Sequence, residues 1–322
     1  MNQTKEGRAP MIRSSTPDHP RTDARLGLAL AAATAVISGI SVFVNASAVR
    51  AFDDPILFTT LKNGVAAIVL AALAVATVRS SWRPTLRGAG GLVTLGVIGG
   101  SVPFMLFFSG LAQATAPAAA VIHKTLFAWV AVLAVVFLRE RLGALQIGAL
   151  GVLVVSQLLI QSPVGVGWGT GETFIALATG LWAVEVIVAK RVLAGTPSAV
   201  AATARMGIGL VVLVVVLAFT GGLAGLGSLA PAQWGWVLVT GGLLSGYVAT
   251  WYAALQRAPA TAVTAVLTLG APLTAGLQLV GNGQAPAPGV AIGYGLCLLG
   301  ACAIGWLALR GDSRRRLSRQ PA

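Results

Sequence analysis

The stretch APATAVTAVLTLGAPLTAGLQLVGNGQAPAPGVAIGYGLCLLGACAIGWLAL, residues Ala258–Leu309, contains no charged side chain. Roughly 20 apolar residues in a helix cross a bilayer core. The stretch therefore has room for two crossings and the turn between them. Another uncharged stretch of similar length runs from Arg205 to Arg257, and shorter ones lie between Arg25 and Arg50 and between Arg141 and Glu172. Backbone groups in hydrocarbon must bond within the segment, so each run reads as helix.

Composition agrees. The 322 residues are 56% hydrophobic and 10% charged, with mean hydropathy +0.85. Soluble domains carry about 25% charged residues. The net charge of +13 does not indicate nucleic acid, because the basic residues sit at chain ends and in short loops rather than among stacking aromatics. Placed there they read as topology signals and contacts to anionic membrane lipid. Cys297 and Cys302 lie five apart in the last apolar run and imply neither a disulfide nor a metal site. Asn45-Ala46-Ser47-Ala48 resembles a signal-peptidase site, but the run before it is too long for a signal core, so retention is expected.

Helices are expected near 26–49, 56–78, 91–111, 116–138, 144–161, 172–189, 200–220, 234–255, 260–280 and 289–309. With the N-terminus inside, eighteen of the 22 Lys and Arg fall on the inner side and only Arg50 falls on the outer. That bias places both termini in the cytoplasm. The excess of Arg over Lys, with abundant Ala, Gly and Val, suggests a GC-rich bacterial genome and hence the plasma membrane.

The chain repeats. At a shift of 144, Gly91, Ser101, Leu111, Ala114, Ala116 and Ala118 land on Gly235, Ser245, Leu255, Ala258, Ala260 and Ala262. At 145, Ala144 and Gly148 land on Gly289 and Gly293, and at 143, Lys62 and Gly64 land on Arg205 and Gly207. Five helices per half is an odd number, so the halves must be inverted, an architecture found in alternating-access transporters. The expected fold is an all-α membrane protein of ten transmembrane helices in two inverted five-helix repeats. Its divisions are a disordered tail over 1–25, repeats over 26–161 and 171–309, and a basic tail over 310–322.

With these features the sequence resembles the drug/metabolite transporter superfamily, specifically its EamA-type ten-helix members. The resemblance rests on the paired halves and on Gly110-Leu111-Ala112-Gln113-Ala114-Thr115-Ala116 with its partner Ala254-Leu255-Gln256-Arg257-Ala258-Pro259-Ala260. It also rests on Leu138-Arg139-Glu140-Arg141-Leu142, similar to the family's acidic motif, and on Pro272 in the ninth helix. Phe127 replaces the corresponding first-half proline, and Ala285 stands near where a second acidic motif would fall. The resemblance implies secondary transport of small metabolites through a cavity lined by both halves, without a cofactor.

Ionisable groups inside a membrane are costly and mark functional positions. Lys124, with His123 beside it, lies near the middle of the fourth helix, too deep to snorkel. Both are candidates for solute binding. Glu185 and Arg205 lie at equal depth in the sixth and seventh helices and form a candidate structural ion pair. Alternatively, Leu181-Trp182-Ala183-Val184-Glu185 looks like the glutamate-bearing first helix of small multidrug-resistance relatives, which makes Glu185 a proton-coupling candidate. Lys62 either snorkels outward or binds solute, and Asn45 is placed to accept from it. Thr261, Thr264 and Thr268 share one face, as do Ser245, Tyr252 and Gln256. Polar faces turn away from lipid, so Thr264, Thr268 and Tyr252 join Trp182 and Phe127 as expected cavity walls.

Counting Lys62, Lys124 and Arg205 against Glu185, the cavity favours an anionic solute. The expected function is therefore secondary transport, in the export direction, of an amino acid or other carboxylate-bearing metabolite. The alternative is proton-coupled efflux of organic cations. A membrane-embedded enzyme is disfavoured, because neither a His-Glu-x-x-His nor a Gly-x-Ser-x-Gly motif occurs. A non-transporting scaffold is disfavoured because nothing in the chain resembles an output domain.

Overall fold

The computed structural model describes residues 23–79, 82–111, 113, 114, 116–161, 168–283 and 285–317. The expected N-terminal tail lies outside them up to residue 22, as do 318–322 of the C-terminal tail. The described residues form thirteen helices and no strand: α1 Ala24–Ala48, α2 Pro55–Thr77, α3 Leu86–Gly100, α4 Val102–Leu111, α5 Ala116–Lys124, α6 Leu126–Leu138, α7 Ala144–Gln161, α8 Thr170–Val192, α9 Ser198–Phe219, α10 Pro231–Arg257, α11 Ala260–Leu267, α12 Gly270–Asn282 and α13 Pro288–Leu317. Nine spans among them are long and apolar enough to cross a membrane, and the apolar Ala144–Ile160 is shorter.

Three expected helices are interrupted, and two of the interruptions come from proline. Pro103 has no N–H to donate to the Gly99 carbonyl, four residues back, and the helix divides at Ser101. The freed carbonyl accepts from Trp182 Nε1 at 3.4 Å. Pro272 likewise has no N–H to donate to the Thr268 carbonyl, which accepts instead from the Ala271 N–H at 3.0 Å, three residues on, and from Cys297 Sγ at 3.4 Å. The third break, at Thr125, has no proline. Its hydroxyl donates back to the Ile122 carbonyl at 2.6 Å, and its N–H bonds the same carbonyl at 3.1 Å, three residues back instead of four. The breaks at Thr125 and Thr268–Leu269 are related by the repeat shift. The break at Ser101 has no counterpart, since α10 runs unbroken through Ser245.

The C-terminal boundary also differs from expectation. Helix α13 continues past Arg310 to Leu317 instead of ending at 309. Arg310 lies one turn beyond Trp306 and stacks its guanidinium 3.5 Å from that ring, which favours continuation.

Packing follows the repeat. Helix α1 lies against α10 as α8 lies against α4; α2 meets α10 as α9 meets α3; α7 meets α13, and α2 meets α9. Exchanging the halves maps this pattern onto itself. The closest crossing is α3 on α9. A methyl on Gly209 would come 2.7 Å from the Gly100 Cα, C and O, all backbone atoms that cannot rotate away. Small residues permit this approach, which membrane helices use for dispersion contact. Gly209→Ala is expected to cost about 1–3 kcal/mol by overpacking. Thermal unfolding in detergent reads the loss, and an unchanged midpoint would mean the crossing relaxes freely.

Candidate functional site

Between the halves lies a cavity of about 660 Å³. Its wall includes His123 and Lys124 at the end of α5, Trp182, Glu185, Arg205 and Thr264 within their helices, and extends to Ile160, Gln278 and Tyr294 near the ends of α7, α12 and α13. The interruptions build it. Leu126 at the start of α6 and Gly270 at the start of α12 both border the space. Two half-helices thus begin at the edge of one volume.

Consecutive helical residues point about 100° apart, yet both His123 and Lys124 line the cavity. The chain turns at Thr125, immediately after Lys124, so the wall follows the end of α5 rather than one face of a continuous helix. Lys124 has no hydrogen-bond or ion-pair partner among the described residues. His123 packs edge-on against Trp182, with ring centres 5.0 Å apart, and against Phe107 at 5.2 Å. Its Nδ1 is buried without a hydrogen bond. Trp182 in turn meets Phe104 edge-on at 5.3 Å.

Glu185 and Arg205 meet, with Nε to Oε1 at 3.5 Å and both side chains under 10% exposed. The contact is electrostatic, since Arg205 Nε makes no hydrogen bond. Tyr252 donates a hydrogen bond to the same carboxylate oxygen. Arg205 otherwise donates only from Nη1 to Met206 Sδ, at 3.7 Å. Most of its five donors are therefore unused, and the residue lines the cavity. Gly99 makes room for the pair, because a methyl there would come 2.7 Å from Glu185 Cγ and 3.0 Å from Arg205 Nε.

Thr264 and Thr268 reach the cavity, with hydroxyls donating to the Ala260 carbonyl at 3.0 Å and the Ala265 carbonyl at 2.6 Å. The Thr264 oxygen remains available as an acceptor, whereas that of Thr268 accepts from Cys297 Sγ at 3.4 Å. Phe127 also lines the space.

Three expected wall residues lie elsewhere. Lys62 Nζ donates to Asn45 Oδ1 at 3.4 Å and sits 5.1 Å from the centre of the Phe58 ring. Asn45 Nδ2 donates to the Ser41 carbonyl at 2.7 Å. This pair ties α2 to the C-terminal part of α1, outside the cavity wall. Tyr252 is fully buried behind Glu185, held there by its hydrogen bond, and does not line the space. The cavity charge therefore comes from Lys124 and Arg205 against Glu185, one cation fewer than the sequence count.

Beyond Trp182 and Phe127, the aromatic residues Phe104, Tyr247, Trp251 and Tyr294 also line it. Tyr247 and Trp251 stack at 6.2 Å with an interplanar angle of 11°. Their spacing of four along α10 was the available signal. The polar face of α11 likewise continues past the break to Thr274 and Gln278, which also line the cavity. Among the described residues no three His, Cys, Asp or Glu side chains gather as metal ligands.

A second, smaller crevice of about 360 Å³ opens at the end of the bundle where α6, α8 and α10 finish. Glu140 spans it from the first half to the second, accepting from the Ala260 N–H at 2.7 Å and the Thr261 N–H at 3.3 Å. Lys190 donates to the Leu255 and Ala258 carbonyls at 2.6 and 2.9 Å. Thr261 lines this crevice instead of the central cavity.

No curated protein matches the chain. A solved crystal structure of a protein superposes with a TM-score of 0.67, covering 87% of this chain and 98% of its own at 18% identity. At that identity the likeness speaks for the fold alone. The EamA-like transporter family matches twice, over residues 25–162 and 169–306. Those two matches, one for each half of a helical bundle with a cavity between the halves, establish that the chain belongs to the EamA-like transporter family of membrane transporters.

Proposed function

We propose that this protein exports a small carboxylate-bearing metabolite across a bacterial plasma membrane by alternating access between two inverted five-helix halves. The observation that carries the reading is the unpartnered Lys124 ammonium in a mid-bundle cavity bordered by two half-helix N-termini. Discontinuous helices at corresponding positions of two halves are where transporters bind solute. An ammonium with no internal partner is costly in an apolar bundle unless an anion joins it. The volume of about 660 Å³ suits one small molecule.

The positive-inside bias sets the orientation, with both termini and the Glu140 crevice in the cytoplasm. Ile160, Gln278 and Tyr294 then lie toward the outside, and the central cavity extends in that direction. The conformation is outward-facing, closed within by Glu140 and Lys190. Efflux of organic cations is the weaker reading, because Tyr252 and Arg205 already engage the one carboxylate of the cavity wall.

Counterflow in proteoliposomes tests the proposal across a panel of amino acids, organic acids and organic cations. Uptake of a carboxylate faster than in empty vesicles is expected. Rates equal to empty vesicles across the panel, or exchange of cations alone, would overturn it.

The inner closure carries its own expectation. Glu140→Gln turns one of two charge-assisted bonds, each worth about 1.5–3 kcal/mol, into a neutral one and loses the other, because the amide nitrogen cannot accept from an N–H. The inward-facing population should rise about tenfold or more. Labelling of Thr264→Cys by a thiol reagent from the cytoplasmic side, in a background free of other cysteines, measures that population. An unchanged labelling rate would show that Glu140 does not hold the gate.

A further inference from the structure

We infer that the crevice at the cytoplasmic end of the bundle binds a phosphate-bearing anion, with Arg139, Arg141 and Arg257 as its cationic donors. This site is separate from the central cavity and goes beyond the transport reading, from which it takes only the orientation.

The lining holds Arg139, Arg141, Lys190 and Arg257 against the one carboxylate of Glu140. That carboxylate is already used by two backbone amides, at 2.7 and 3.3 Å. Lys190 is already used by two carbonyls, at 2.6 and 2.9 Å. With four cations against one carboxylate, the lining keeps a net charge of +3. Arg257 donates only to the Ala253 carbonyl, at 2.8 Å, one turn back on its own helix. The side chains of Arg139 and Arg141 have no hydrogen-bond or ion-pair partner among the described residues.

The backbone gives an independent reason. Arg139 ends α6 with φ 56°, in the left-handed region, and is the one non-glycine with positive φ among the described residues. Glycine normally ends a helix this way, because a Cβ is penalised there. An arginine at this position bears the strain, and its side chain lines a crevice that already holds cations. Arg141, two residues on, lines it as well.

Thr261 supplies a third observation. It is 3% exposed and lines the crevice, and its hydroxyl has no hydrogen-bond partner. Planar guanidinium groups match phosphate oxygens two at a time. A volume of about 360 Å³ accommodates a headgroup-sized anion. The shared chemistry is a phosphate ester at the inner membrane surface, reached either from an anionic phospholipid or from solution.

The test uses the full chain in phosphatidylcholine nanodiscs, with thermal unfolding as the readout. One arm replaces part of the lipid by phosphatidylglycerol, and the other adds glycerol phosphate in solution. A saturable rise in unfolding temperature is expected in at least one arm. A rise that needs phosphatidylglycerol assigns the occupant to lipid, and a rise with glycerol phosphate alone assigns it to a soluble ester. Arg141→Gln should weaken the apparent affinity about fivefold, and Arg139→Gly with Arg141→Gln about 25-fold. Arg139→Gly suits the backbone, so that variant folds. Arg50→Gln, at the other end of the bundle, should bind as the unaltered protein does. The inference is overturned if neither arm raises the unfolding temperature, if the double variant keeps the full affinity, or if Arg50→Gln loses as much. The readout is binding rather than flux, so the result is independent of whether the carboxylate panel shows transport.

Discussion

Lys124→Ala is expected to lower carboxylate counterflow in proteoliposomes about 100-fold while leaving insertion and folding intact. A hydrogen bond between charged groups contributes about 1.5–3 kcal/mol net, and more where water is scarce. At ~1.4 kcal/mol per tenfold, losing the ammonium and its long-range attraction reaches that factor. Folding should not suffer, because Lys124 satisfies no internal acceptor among the described residues. Removing an unpaired ammonium relieves a desolvation cost instead of creating one. The unfolding temperature of Lys124→Met, which keeps the side-chain volume, should therefore equal or exceed that of the unaltered protein. Near-normal flux in either variant would remove Lys124 from the solute site. A marked loss of stability would instead show that the ammonium has a structural partner.

The ten apolar segments were legible because lipid leaves the backbone no option but helix, and because nearly every charge outside them marks an end. The same clarity did not extend to rotation about each helix axis. A polar side chain avoids lipid equally well by facing a cavity or a neighbouring helix. Ser245, Tyr252 and Gln256 illustrate the ambiguity. Ser245 donates to the Gly241 carbonyl at 2.7 Å. Gln256 donates to the Leu193 and Thr196 carbonyls at 3.3 and 3.2 Å, and Tyr252 donates to Glu185. The stripe is buried between helices, whereas Tyr247, about 140° away around the same helix, reaches the cavity. Lys62 was legible further: Asn45 is the expected acceptor and takes its Nζ at 3.4 Å, while the Phe58 ring beside it was not foreseen.

The helix breaks were legible only in part. Pro103 and Pro272 are visible in the chain, but whether a proline kinks or divides a helix depends on what accepts or supplies the orphaned bond. Here Trp182, distant in sequence, donates to the Gly99 carbonyl, while the Thr268 carbonyl is taken by the Ala271 N–H as well as by Cys297. At Thr125 no proline warns of the break, and the hydroxyl bond that favours it is one threonines also make in continuous helices.

Arg205→Ala is expected to be the most destabilising single change at the site, costing about 3–5 kcal/mol. It strands Glu185, which is 2% exposed, with Tyr252 as its remaining partner. Glu185→Gln should cost less. The amide oxygen still accepts from Tyr252, and Arg205 lines the cavity. Combining Arg205→Met with Glu185→Gln removes both charges at similar volume and should recover most of the lost stability, as neutral replacements of buried pairs commonly do. Transport separates the two roles of the pair. If it served packing alone, the double variant would also recover flux. Because Arg205 carries unused donors into the same cavity as Lys124, flux is expected to stay low when the unfolding temperature returns. Thermal unfolding and counterflow on the same preparations decide the matter. Recovery of both would make the pair purely structural and leave Lys124 as the lone cation acting on the solute.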